Sequence, residues 1–274
     1  MATTAIERLR TLPLLSAAPT IRPIEGGRTN ENFRVESGGR TYFARVGIDL
    51  PHHGIIRVNE IACHRRAAAV GIAPEVVHGA DGVMVTAFID GRTLVQGEPV
   101  DDNTLAHLAR TLRRLADHAD PNGLPDFDPV DICRRDLAAL ITDASDGRRR
   151  TATNIIGAAP RLSSHALIHA DLIPENVIVS GERVMLVDWE YAGRGDPAVD
   201  VAAVVLHFGL NARQAAHLVE AHGGVSAITV EALQPVLALR EALWCEVQKR
   251  FAGIRGDLAD YTEMCWRRLE RFAP

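Results

Sequence analysis

Residues 169–191 read HADLIPENVIVSGERVMLVDWEY, and more follows from this segment than from any other in the 274-residue chain. Asp171 and Asn176 lie five apart in a stretch with loop character. The apolar run 177–179 reads as a strand, Ser180-Gly181-Glu182 as a turn, and 183–187 as a second strand that ends on Asp188. Folding this hairpin carries the end of the second strand back to the loop, so Asp171, Asn176 and Asp188 meet at one mouth. Two carboxylates and an amide are what phosphoryl transfer requires: a base beside an acceptor hydroxyl, and hard oxygen ligands for a magnesium ion between phosphates. The plainer alternative is a polar β-hairpin whose Asp and Asn only shape turns. That reading leaves the joint spacing of three polar residues around two apolar strands unexplained.

Composition narrows the classes. Hydrophobic residues make up 47% of the chain, enough to bury a core or two, so the length suits one bilobal unit or two modest domains. A net charge of -5 offers no electrostatic footprint for nucleic acid. Cys63, Cys133, Cys245 and Cys265 are scattered without C-x-x-C spacing, fitting neither a zinc site nor a disulfide framework, and a reducing cytoplasm is the expected compartment. No apolar run approaches the length of a membrane span, so no membrane partner is expected. Near the N-terminus Pro13 interrupts the short apolar run and Glu7 sits among the arginines, which predicts a short helix and a loop rather than a signal peptide.

The chain changes grammar partway. Segments 20–24, 32–36 and 40–46 read as strands separated by Gly26-Gly27 and Ser37-Gly38-Gly39; 55–70 reads as a helix ending at Gly71. Segments 75–78 and 83–88 flank Asp81-Gly82, a strong hairpin turn. From Asp101 onward Leu105, Leu108, Ala109, Leu112 and Leu115 recur at helical spacing, and helices dominate to the end apart from the hairpin. The expected fold class is therefore α+β, with residues 1–89 as a small antiparallel sheet carrying one helix and residues 90–274 as a larger, mainly helical unit. Pro235 is expected to kink or restart the helix that surrounds it.

The loop and hairpin resemble the kinase catalytic loop H-x-D-x-x-x-x-N followed by the aspartate of D-F-G, here Asp188-Trp189-Glu190. A protein kinase would carry glycine after the aromatic residue and a later A-P-E segment, and neither is present. The chain is closer to the choline/ethanolamine kinase-like members of the aminoglycoside phosphotransferase superfamily, which share the protein-kinase fold. The motifs Gly26-Gly27-Arg28-Thr29-Asn30, Asp188-Trp189-Glu190-Tyr191 and Leu243-Trp244-Cys245-Glu246-Val247-Gln248 match those of choline kinases. This resemblance implies ATP and Mg²⁺ as cofactors, residues 1–89 as a nucleotide-binding N-lobe, and residues 90–274 as a C-lobe that binds the acceptor. It makes Asp171 the catalytic base and Asn176 with Asp188 the metal ligands. Thr29 and Asn30 would reach the phosphates, while Ala87 and Ile89 would meet adenine through their backbones.

The phosphate-binding cation poses a problem, because Lys249 is the only lysine in the chain. Arg45 is the remaining candidate on the third strand, with Glu60 on the following helix as its carboxylate partner; a guanidinium can bridge phosphate and carboxylate in fork geometry. On the acceptor side, five of the six Trp and Tyr residues follow the catalytic loop: Trp189, Tyr191, Trp244, Tyr261 and Trp266. Ring faces and a carboxylate suit an alkylammonium, which selects Glu190, Tyr191, Trp244 and Trp266 as expected contacts of a small-molecule acceptor. The competing reading for Trp244 and Trp266 is core packing. Asp196 and Asp200 are expected to brace the catalytic loop or cap the next helix. Choline or a related amino alcohol is the expected acceptor; an aminoglycoside, thiamine or sugar kinase, or a non-catalytic ligand-binding pseudokinase, are the alternatives left open.

Overall fold

The computed structural model describes residues 4–16, 18–25, 30–140, 145–163, 165–254 and 256–272. Its N-terminal part is an antiparallel sheet of β1 (Thr20–Ile24), β2 (Glu31–Ser37), β3 (Arg40–Val46), β4 (Val76–Ala80) and β5 (Val83–Ala87), in spatial order β1-β2-β3-β5-β4. Strand alternation explains where Arg45 goes. Ala44 and Val46 join Phe33, Val35, Val83 and Val85 in a small core capped by Leu9 of helix α1 (Ala5–Arg10), so Arg45 between them faces the opposite side. On that side lies α2 (Arg57–Ala69), which begins where the Asp49 carboxylate accepts the Arg57 N–H at 2.8 Å. Glu60 sits in its first turn, where an anion also complements the helix dipole. The helix is drawn tight to β4 at Gly79, where a Cβ would come within 2.8 Å of the Ile61 side chain.

The remainder is mainly helical. It comprises β6 (Arg92–Thr93), α3 (Asp102–His118), α4 (Pro129–Ala139), α5 (Asp146–Ala158), β7 (Ala166–Ile168), β8 (Val177–Ser180), β9 (Arg183–Leu186), β10 (Gly193–Gly195), α6 (Ala198–His207), α7 (Ala212–His222), α8 (Ala227–Ala252) and α9 (Leu258–Leu269). In α3 the five residues picked out by spacing, Leu105, Leu108, Ala109, Leu112 and Leu115, are all buried, and Asp101 caps the helix through the Thr104 N–H at 2.8 Å. The predicted hairpin is β8–β9, and β6 pairs with β8 to make a three-stranded sheet. Gly91 permits that pairing, because a Cβ there would lie 2.8 Å from the Val179 carbonyl.

Two expectations need correction. The predicted helix 55–70 starts at Arg57, since Ile55 is held in a bridge with Leu50. Pro235 does not divide its helix: α8 runs for 26 residues through it. Proline costs this helix one backbone hydrogen bond, and burial of Leu233, Val236 and Leu237 around it opposes the break. Among the described residues, no helix is long and apolar enough to cross a membrane.

Candidate active site

The loop after β7 is held by buried polar contacts. The Asp200 carboxylate, on α6, accepts the backbone N–H groups of His169 and Ala170, each at 2.8 Å. This matches the bracing role expected for Asp200, and Asp196 caps the start of α6 through the Ala198 N–H at 2.9 Å. His169 is fully buried; its Nε2 donates to the Val187 carbonyl at 2.9 Å and its ring lies 4.6 Å from that of Trp189. Burial pushes the imidazole down to about 4, so it is neutral and structural. Ala170 and Asp188 adopt positive φ values of 65° and 68°, a conformation that side-chain-bearing residues adopt at a cost of roughly 1–3 kcal/mol. Both strained residues flank the same mouth.

Asn176 ends a single 3₁₀ turn, 174–176, and ties loop to hairpin: its Nδ2 donates to the Asp171 carbonyl at 2.8 Å, and its own carbonyl accepts the Val187 N–H at 3.0 Å. Asp171, Asn176 and Asp188 therefore line one cavity, as the hairpin spacing predicts. The Asn176 Oδ1 and the Asp188 carboxylate are oxygen donors of the hard kind that magnesium takes. Among the described residues no cluster of three or more His, Cys, Asp or Glu side chains could hold a metal by itself, so phosphate oxygens and water would have to complete such a site.

Beside Asp188 stands a buried ion network. Arg45 Nη1 donates to Glu60 Oε1 at 2.5 Å and to Asp188 Oδ1 at 2.7 Å. Arg57 Nη1 donates to Glu60 Oε2 at 2.6 Å and to Glu190 Oε2 at 3.0 Å, and Asn30 Nδ2 adds a bond to Glu190 at 3.1 Å. Desolvation alone would lower the Arg45 pKa, but Asp188, Glu60 and Glu190 overcome it and raise it. The expected Arg45–Glu60 pair is thus present and extended. Arg57, one helical turn before Glu60, was not singled out by sequence, although an arginine at i−3 from a glutamate on a helix is a readable signal.

The cavity at the mouth encloses about 360 Å³ and runs from Asp171 to the face of α8. Its ring-bearing walls are Tyr191, His207, Trp244 and Tyr261, and the Trp244 indole N–H donates to the Tyr191 hydroxyl at 2.8 Å. Trp244 also stacks on His53, centroids 4.9 Å apart, so residues 51–53 are docked on α8. Deep in the cavity Arg240 lies over the Tyr191 ring at 4.6 Å, donates to the Ala170 carbonyl at 3.1 Å, and brings Nη1 within 3.8 Å of Asp171 Oδ1. Burial pushes the Asp171 carboxyl up to about 7, and Arg240 opposes that rise.

Several expected contacts stand elsewhere. Trp266 does not line the cavity; it packs in a second core with Leu243, Val247 and Leu258, and its indole N–H donates to Glu246 at 3.0 Å. Its place on α9 turns it toward that core, and spacing alone could not distinguish it from Tyr261 on the same helix. The Ala87 N–H is committed to the Glu75 carbonyl at 2.9 Å, which removes Ala87 as a backbone donor to a ligand. Ile89 lies beyond the end of β5. Thr29 falls outside the described residues, and Glu190 faces Arg57 and Asn30 as well as the cavity. Arg240, Glu241 and Tyr261 line the cavity without having been chosen as site residues; Arg240 and Glu241 sit just before the Leu243-Trp244 pair on the same helix, which was the available signal.

Known proteins share sequence and fold with this chain. LicA of Haemophilus influenzae is 24% identical over 212 residues, covering 72% of this chain and 61% of that protein. A thiamine kinase of Salmonella paratyphi B is 33% identical over 121 residues, covering 40% of this chain and 41% of that enzyme. The crystal structure of a choline/ethanolamine kinase family protein from Mesorhizobium loti superposes with a TM-score of 0.77 at 26% identity, covering 96% of this chain and 92% of the other. The fold is kinase-like. A model of the phosphotransferase enzyme family matches residues 20–236, from β1 into α8, and the chain belongs to that family.

Proposed function

We propose that this protein is an ATP- and Mg²⁺-dependent kinase that phosphorylates a hydroxyl of a small amino alcohol, with residues 1–89 holding the nucleotide and residues 90–274 the acceptor. The observation that carries this reading is the convergence of Asp171, Asn176 and Asp188 on one cavity whose far wall is aromatic. Asp171 orients the acceptor hydroxyl and accepts its proton as the oxygen attacks the γ-phosphorus. A carboxyl raised to about 7 holds a proton more readily than an ordinary aspartate, so it suits a base working near neutral pH. Asn176 and Asp188 would hold Mg²⁺, which neutralises phosphate charge when bound. Arg45, positioned by Glu60, steadies the leaving diphosphate, and the Ile89 backbone meets the adenine. Asn30 would add a donor to the phosphates. Tyr191, Trp244 and Tyr261 present ring faces to an alkylammonium.

The test is release of ADP coupled to acceptor phosphorylation over choline, ethanolamine, thiamine, hexoses and aminoglycosides, with and without Mg²⁺. Metal-dependent turnover of an amino alcohol, and its loss in Asp171→Asn, is expected. Binding of MgATP without turnover of any acceptor would instead favour a ligand-binding pseudokinase.

A further inference from the structure

The acceptor cavity contains a cation of its own, and this bears on the acceptor. Of the five carboxylates that line the cavity, Asp188, Glu190, Glu241 and Glu175 accept hydrogen bonds from other groups, and Asp171 has Arg240 as its ion-pair neighbour at 3.8 Å. Asp188 is paired with Arg45 at 2.7 Å and Glu190 with Arg57 at 3.0 Å. Glu241 accepts from Arg268 at 2.6 Å and from the Tyr261 hydroxyl, and Glu175 accepts the Gln96 backbone N–H at 3.0 Å. Arg240 is in the opposite condition. Among the described residues its guanidinium donates one hydrogen bond, to the Ala170 carbonyl, and its approach to Asp171 at 3.8 Å is too long for another. The Tyr191 and Phe127 ring centroids lie 4.6 Å and 5.2 Å from its Cζ and take up none of its N–H groups. A guanidinium packed near two rings, mostly buried and short of acceptors, is suited to receive an oxyanion.

We infer that the acceptor is a zwitterion: a hydroxylated amine that also carries an anionic group, carboxylate or an equivalent oxyanion, which Arg240 binds. This rests on the kinase reading above and narrows its substrate class. Asp171 and Arg240 are close enough that hydroxyl and anion must be near neighbours in the acceptor, while the ammonium lies on the Trp244 and Tyr261 side. A purely cationic amino alcohol would meet the Arg240 guanidinium as a like charge and would leave its remaining N–H groups without an acceptor.

Matched pairs that differ by one carboxylate test this: ethanolamine against serine, and β-methylcholine against carnitine. Affinities are measured by calorimetry on the full chain with Mg²⁺ and a non-hydrolysable ATP analogue, so binding is read independently of turnover; initial rates are measured in parallel. The carboxylated member of at least one pair is expected to bind about tenfold or more tightly. Arg240→Met, which keeps the apolar stem, should abolish that preference, and Arg240→Lys should retain part of it. The melting temperature of each variant reports whether it folds. If Arg240→Met does not fold, the wild-type preference together with Arg240→Lys decides. Equal affinity within both pairs, preference for the decarboxylated members, or no binding of either zwitterion would overturn the inference. So would an Arg240→Met variant that loses both members of a pair equally. Turnover of choline or ethanolamine alone would leave the kinase reading standing while removing this one; phosphorylation of no compound in the wider acceptor panel removes the kinase reading.

Discussion

Replacing Arg57 by Met isolates the part of the ion network that sequence did not reveal. Its Nη1 is shared between Glu60 and Glu190, and all three side chains are at least nine-tenths buried. Met preserves the apolar stem, so the change removes charge with little loss of packing. Breaking a buried ion pair by deleting one partner typically costs about 3–5 kcal/mol. Here Glu60 keeps Arg45 and Glu190 keeps Asn30, which places the expected loss near the lower bound, about 3 kcal/mol. At about 2–4 °C per kcal/mol for a chain of this size, the melting temperature should fall by roughly 6–12 °C. A thermodynamic cycle with Glu190→Gln, measured by urea unfolding, should give a coupling energy of at least about 1 kcal/mol. A melting temperature within about 2 °C of wild type, or additivity within about 0.5 kcal/mol, would refute the argument that the network is held by these charges.

The remaining expectations address chemistry and packing. Asp171→Asn should lower turnover by roughly 10²–10⁴-fold while leaving MgATP affinity nearly unchanged, since the base acts on the acceptor; steady-state rates and nucleotide titration check both halves. The Asp171 carboxyl is raised above its ordinary value, to about 7, and only its deprotonated form accepts a proton, so acceptor kcat/KM should fall as pH drops through about 7; an acid limb near an ordinary aspartate value would show that burial does not govern the group. Trp244→Leu should raise acceptor KM by roughly tenfold with ATP KM unchanged, as befits a cavity wall, whereas Trp266→Leu should depress melting temperature and both activities together, as befits a core residue.

What was legible in sequence follows from the range of the interactions involved. The hairpin, the β2–β3 turn and the buried stripe of α3 are set by patterns within about a dozen residues, and all three formed where spacing put them. Asp171, Asn176 and Asp188 are likewise close in the chain, so their meeting could be read from one motif. Arg45 and Glu60 lie 15 residues apart, and it was the lack of any other candidate cation that linked them. The Arg57–Glu190 and Arg240–Asp171 contacts span 133 and 69 positions, and no local pattern encodes which way such side chains turn. Trp266 shows the converse error. Its residue type suited a cavity, but the fold of α9 against α8 decided which of two aromatic residues on that helix faced inward to the core and which to the cavity.

The histidine of the loop illustrates how the fold sustains the strain at the site. Ala170 and Asp188 are both held in the left-handed region, which neither would choose in an open chain. One buried unit holds both. The carboxylate of Asp200 captures the two N–H groups that bracket the turn at Ala170, and His169 Nε2 captures the carbonyl of Val187, the residue before Asp188. Trp189, the residue after Asp188, packs its ring on His169 and donates its indole N–H to Leu186. Neutrality of the imidazole matters here: donating from Nε2 leaves Nδ1 unprotonated, and that atom has no partner among the described residues, a smaller penalty than burying an imidazolium. His169 is therefore best understood as a positioning residue, and the left-handed turn at Asp188 is what aims its carboxylate at Arg45 and the cavity rather than along the strand that ends before it.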